Sequence, residues 1–196
     1  MVKPKFFFVI GPESSGSTLT ARICAQVFLN VPFDSERSEE WEDDKGNRVW
    51  HVSLPSGPEA TFADVNQWVR DYSESHDLHF ILTTRDITLS EYSRRGRFMR
   101  RGSYEVKRHS GRAREIMLQV MSMEYPWYIS SYESMIFLGK PYLDLMYSFM
   151  GVESDFMPSL RDGNLQRIQS MGLVDNLKRT MRRTLFNVRT RDKFST

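Results

Sequence analysis

KFFFVIGPESSGSTLT, residues 5–20, decides how the rest of the chain is read. Phe6 to Ile10 is an unbroken apolar run of the length that suits a strand buried on both faces. Gly11 ends it, and Pro12 to Thr18 is a loop of small, turn-prone residues. The period then changes from strand to helix, with Leu19, Ile23 and Val27, joined by Cys24 and Phe28, on one helical face. A strand, a glycine-bounded loop and a helix N-terminus together form a cradle for phosphate. Backbone N–H groups and the positive helix end both point at an anion there.

The loop comes close to the pattern G-x-x-x-x-G-K-[ST]. Gly11 and Gly16 have the right spacing, but Ser17 follows Gly16 directly, so the lysine is absent. Gly11, Ser14, Ser15, Gly16, Ser17 and Thr18 are the candidate phosphate-binding residues.

A chain of 196 residues is expected to form one domain, 1–196, with 152–196 as a basic helical C-terminal segment. The formal charge of +2 does not by itself imply a nucleic-acid partner, but the charge is unevenly spread. Asp34 to Asp44 is acidic. Arg94 to Arg114 is basic, with Glu105 its only acid, and Lys178 to Lys193 is basic again. A basic run near a phosphate cradle suits anion binding better than a solvated face does. The aromatic residues do not interleave with the arginines, so no nucleic-acid partner is expected. With Cys24 the single cysteine and no long apolar run, the chain reads as cytoplasmic, without a membrane span.

Further along, Arg48 to Leu54 alternates as a short strand, and Thr61 to Ser73 has helical spacing. His79 to Thr84 is a second buried strand, with Arg85 at its end and Asp86 placed to cap the next helix. The acidic stretch reads as an exposed loop or short helix. Glycines 96, 102 and 111 break the basic stretch into loop before a helix over Ser110 to Glu124. Trp127 to Tyr132 is a third strand. A helix after Pro141 presents Leu145, Met146, Phe149 and Met150 and stops at Gly151, and basic amphipathic helices follow Pro158. Strands alternating with helices give an α/β fold, a three-layer sandwich around a parallel sheet. The cradle, His51 and Arg85 would then share the rim at the strand C-termini.

Three segments resemble the sulfotransferases that use 3′-phosphoadenosine 5′-phosphosulfate. GPESSGSTLT is similar to that family's 5′-phosphosulfate loop. TTRDITLSEYSRR carries Arg85 and, eight positions on, Ser93, the family's spacing for a 3′-phosphate grip. YISSYESMIFLGKPYLDLMYSFMGV looks like its Tyr-Glu strand end and Phe-hydrophobic-Gly helix end, here Tyr132, Glu133, Phe149 and Gly151. The resemblance spans about the first 150 residues. It implies a P-loop NTPase-like fold, binding of 3′-phosphoadenosine 5′-phosphosulfate without metal, and sulfuryl transfer to a hydroxyl or amine of a carbohydrate or small metabolite.

The chain departs from that family at Ser14, where the loop usually has lysine or arginine. Arg22, Arg94, Arg95, Arg189 and Arg191 are the candidates to replace that cation. Ser14 and His51 are the candidate catalytic residues. His51, in a short strand before a Pro-Gly loop, is the expected general base, with Glu59 or Asp34 behind it. The acceptor pocket is expected from loops at Asp34–Arg48 and Arg94–Arg112. Tyr132 and Glu133 are expected to close the third strand. Two alternatives are a P-loop kinase-like phosphotransferase and a non-catalytic nucleotide-binding protein.

Overall fold

The computed structural model describes residues 2–36, 38–57, 59–97, 103–165, 168, 169 and 172. The chain forms two compact units, Met1–Leu160 and Arg161–Thr196. The helices expected around Leu173, Leu177 and Leu185 lie outside the described residues.

The first unit is α/β. Its elements are β1 (Lys5–Pro12), α1 (Ser17–Leu29), β2 (Glu40–Glu42), β3 (Arg48–Leu54), α2 (Val65–Tyr72), β4 (Asp77–Thr84), α3 (Ile87–Arg97), α4 (Ser103–Met121), β5 (Trp127–Ser131), α5 (Tyr132–Leu138) and α6 (Lys140–Met150). The sheet order is β2-β3-β1-β4-β5. β1 runs parallel to β3 and β4, β4 runs parallel to β5, and only β2 is antiparallel. From β1 the chain moves to β3 on one side, then crosses to β4 on the other. Right-handed crossovers in opposite directions put helices on opposite faces. β1 is therefore the switch point, and the loop that follows it opens into the crevice.

Alternation along β1 separates two cores. Phe7 and Val9 pack with Cys24 and Ala25 of α1 and with Leu143, Met146, Tyr147 and Met150 of α6. Phe6, Phe8 and Ile10 pack with Ile116 and Val120 of α4, and Trp68 and Tyr72 of α2 close over them. Burial pushes the Cys24 thiol well above its ordinary pKa, which leaves it inert core filler. No helix among the described residues is long and apolar enough to cross a membrane.

Four expectations need correction. The acidic stretch contains strand β2, because Trp41 pairs with Val49 and is 9% exposed, and Arg48 forms ion pairs with both Glu40 and Glu42. α4 begins at Ser103, so Gly111 lies inside the helix; helix propensity is a weak prior against the burial of Val106, Ala113 and Ile116. The two segments expected as acceptor loops are therefore largely a hairpin and a pair of helices. β5 ends at Ser131, whose hydroxyl caps α5 by accepting from Ser134 N–H, so Tyr132 and Glu133 open a helix instead of closing the strand. α6 turns Leu145 outward, 60% exposed, and buries Leu143 and Tyr147 in its place.

Candidate phosphate-binding site

The loop is built for close approach. A Cβ on Gly11 would lie 1.9 Å from Thr83 Oγ1 and 2.7 Å from the Thr83 carbonyl. Ser15 Oγ and Thr83 Oγ1 hydrogen-bond at 2.7 Å directly above that position. Ser15 N–H donates to the Pro12 carbonyl, closing a tight turn. Ser14 holds φ 66° and Gly16 φ 95°, both left-handed. At Gly16 a side chain would also meet Tyr132 Cδ2 at 2.9 Å.

Gly16 is the N-cap of α1 and supplies no side-chain cap, and the first turn holds no acid. The N–H groups of Ser17, Thr18 and Leu19 precede the first intrahelical bond, made by Thr20 N–H to Gly16 O at 3.0 Å. They face outward with the positive end of the helix dipole behind them.

Three neighbouring strands and α3 contribute to this loop. His51 on β3 is 6% exposed, and its Nε2 lies 2.9 Å from Ser17 Oγ and 3.4 Å from Thr18 Oγ1. The register explains this, since His51 is opposite Val9, two residues before Gly11. Arg85, just beyond β4, donates from Nη1 to the Ser14 carbonyl at 3.1 Å, and its guanidinium lies over the Tyr132 ring at 4.5 Å. Ser130 on β5 meets Thr20 at 3.5 Å. From α3, Ser90 Oγ donates to the Glu13 carbonyl at 3.1 Å.

The structure thus gathers Gly11, Ser14, Ser15, Gly16, Ser17, Thr18, His51 and Arg85 at one end of the sheet. Ser93 is also on α3 but is 2% exposed, one turn beyond the hydroxyl that touches the loop. Ser14 Oγ is sealed from solvent and has no hydrogen-bond partner. Two of the expected cations turn elsewhere. Arg22 donates to the Ser35 carbonyl at 2.8 Å, and the buried Arg94 donates to Ser110 on α4. Arg189 and Arg191 lie outside the described residues, and so does the side chain of Arg95. Among the described residues, Arg85 is the cation that reaches Ser14.

Sequence reasoning missed Thr83, Ser90 and Ser130. Thr83 precedes Arg85 by two, so it shares that strand's inward alternation. Ser90 is three residues before Ser93, which places both on one helical face. Asp86 caps α3, its Oδ1 accepting from Leu89 N–H at 2.9 Å, and Glu133 Oε1 accepts from Asp86 N–H at 3.0 Å. Among the described residues no group of three or more His, Cys, Asp or Glu is arranged to hold a metal ion. No protein-family model, curated protein or solved structure matches this chain.

Proposed function

We propose that this chain is a sulfotransferase of P-loop NTPase-like architecture that uses 3′-phosphoadenosine 5′-phosphosulfate. The observation that carries the reading is the 3.1 Å bond from Arg85 to the Ser14 carbonyl. It joins the strand-end arginine, which the resemblance assigns to the 3′-phosphate, to the loop that would hold the other end of the donor, and so supports a single donor site. In this reading the uncapped N–H groups of α1 and the Ser17 and Thr18 hydroxyls hold the 5′-phosphosulfate end, while the enclosed Ser14 and Ser15 hydroxyls shape the loop. Arg85 and, after a local shift, Ser93 hold the 3′-phosphate. No metal is required, since backbone dipoles and the guanidinium supply the positive charge.

The donor supplies an activated sulfuryl group. An acceptor oxygen or nitrogen bonds to sulfur as the sulfur–oxygen bond to the 5′-phosphate breaks, and adenosine 3′,5′-bisphosphate leaves. The acceptor's proton passes to His51 Nε2 through the Ser17 hydroxyl, because that nitrogen already faces Ser17. The acceptor is a hydroxyl or amine of a carbohydrate or small metabolite.

Melting with added nucleotide tests the donor. At 100 times its dissociation constant a ligand stabilises by about 2.7 kcal/mol, or roughly 5–10 °C at this chain length. Adenosine 3′,5′-bisphosphate without metal should give that shift. A shift with Mg·ATP and none with the bisphosphate would replace this reading with a kinase-like one.

A further inference from the structure

The outer face of α4 carries charge that the fold does not use. Tyr104, Lys107, Arg108, Gly111, Arg112, Arg114, Glu115 and Leu118 are exposed, while Val106, His109, Ala113, Ile116 and Val120 face inward. At 100° per residue, Lys107 and Arg114 form one flank of this face and Arg108 and Arg112 the other. Arg112 donates to Glu115 at 2.9 Å. Lys107, Arg108 and Arg114 form no ion pair with any described residue. Four cations thus stand against a single exposed acid.

Gly111 lies on the midline between the flanks. Glycine inside a helix costs about 1 kcal/mol relative to alanine. A Cβ there would meet nothing within 4 Å, so no contact inside the protein requires the bare backbone. The cationic flanks and the notch between them occur at the same turn of the helix.

α4 also occupies a useful place. β4 ends at the cradle rim and β5 starts at the opposite rim, so α4, which leads into β5, descends the sheet. The first turns of α4 are therefore its part nearest the cradle. His109 packs on Phe62 and Ser110 accepts from Arg94, which anchors these turns.

We propose that this face binds a linear anionic polysaccharide whose chain crosses α4 at Gly111, with its acidic groups met by the two flanks. Single-stranded nucleic acids are held by bases stacked on successive aromatic side chains. Among the described residues this face has one exposed ring, Tyr104, and no exposed Asn or Gln to read base edges. Charge without stacking or amide groups fits a polymer of acidic sugars. The surface stands independently of the donor; that the bound polymer is also the sulfuryl acceptor rests on the function proposed above.

The test is binding of fluorescent heparin to the full chain without nucleotide, so failure here leaves the donor reading untouched. Wild-type binding should weaken steeply with salt. Arg108→Ala combined with Arg114→Ala should weaken it by about tenfold or more, the equivalent of losing one charged contact. Arg70→Ala on α2 removes the same charge per site elsewhere and should leave affinity within about twofold. Gly111→Ala should raise Tm by about 2–4 °C and still weaken heparin binding. Unchanged affinity in the double variant, or an equal loss in Arg70→Ala, overturns the surface. Wild-type affinity in Gly111→Ala overturns the crossing point. A single-stranded RNA of equal charge that displaces heparin at lower concentration overturns the polysaccharide in favour of nucleic acid.

Discussion

His51 Nε2 lies 2.9 Å from Ser17 Oγ, a buried contact between the middle of β3 and the first residue of α1. It joins the one strand histidine near the cradle to a hydroxyl on the cradle's floor. If this pair conducts the acceptor's proton, the two residues act as a unit. His51→Ala should lower turnover by about 10² to 10⁴ and leave bisphosphate affinity within about threefold, since the α1 N–H groups are untouched. Ser17→Ala should cost a similar factor, and the double variant little more than either single. Multiplying losses in kcat would show separate roles and move the base to Glu59 or Asp34.

Gly11 makes a prediction about stability. A methyl group there would sit 1.9 Å from Thr83 Oγ1 and 2.7 Å from the Thr83 carbonyl. The side chain can be removed but the carbonyl belongs to the sheet. Gly11→Ala should therefore destabilise by about 3 kcal/mol, the upper end of the usual cost of overpacking, and Thr83→Ala should recover only part of it. Urea titration of the single and double variants measures both. A Gly11→Ala protein as stable as wild type would mean that β1 and β4 leave room for a methyl group at this position.

The Tyr142 hydroxyl donates to the Ile129 carbonyl at 3.0 Å and accepts from Ser131 N–H at 2.7 Å. These groups lie on the outer side of β5, a sheet edge that among the described residues pairs only with β4. One phenol thus covers part of an edge that also exposes Trp127 and Ile129. Tyr142→Phe should cost about 1–3 kcal/mol and promote self-association through the uncovered edge. Chemical denaturation reads the first effect and light scattering the second. A stable, monomeric Phe variant would show that the edge is protected by other means.

Asp43 gives a prediction about pH. Burial alone would raise its carboxyl, but bonds from the Asn47 side chain, Asn47 N–H and Lys45 N–H outweigh this and hold it below its ordinary value. A carboxyl lowered on folding stabilises above its unfolded pKa of about 3.9. That stability is lost as pH falls through the folded value. Wild type should exceed Asp43→Asn by a constant margin above about pH 5, and the margin should shrink towards about pH 3. A margin that is flat across this range would remove the carboxylate's charge from the β2–β3 turn.

Much of this arrangement was legible in the sequence because its signals were local. The apolar run Phe6 to Ile10, the two glycines and the helical period after Ser17 each point to the same strand–loop–helix unit. Arg85 could be read as a strand end for the same reason. Other features depend on partners far along the chain. Glu40 to Glu42 reads as solvated until Arg48 lies across from it. α5 follows β5 without a breaker, and only the cap at Ser131 marks the boundary. The bond from Arg85 to Ser14 requires Ser14 to hold φ 66°, a conformation rare for serine and set by the turn around it. Ser14 Oγ, closed off without a partner, is likewise a property of the packed loop.

That bond also makes Arg85 the most informative residue to change. Its guanidinium has two jobs that separate experimentally. One is structural: it donates to the Ser14 carbonyl and covers the Tyr132 ring. Losing both should lower the stability of the nucleotide-free protein by about 1–2 kcal/mol. The other is the contact to the donor. Charge-assisted bonds to phosphate, two of them from a planar fork, make Arg85→Ala cost on the order of 2–4 kcal/mol in bisphosphate binding. Arg85→Lys keeps the charge without the fork, so it should recover only part of the affinity. Calorimetric titration of adenosine 3′,5′-bisphosphate into both variants, alongside melts of the nucleotide-free proteins, distinguishes the roles. Lower stability with unchanged affinity would make Arg85 a strut for the loop alone. Wild-type affinity and wild-type stability together would remove it from the site.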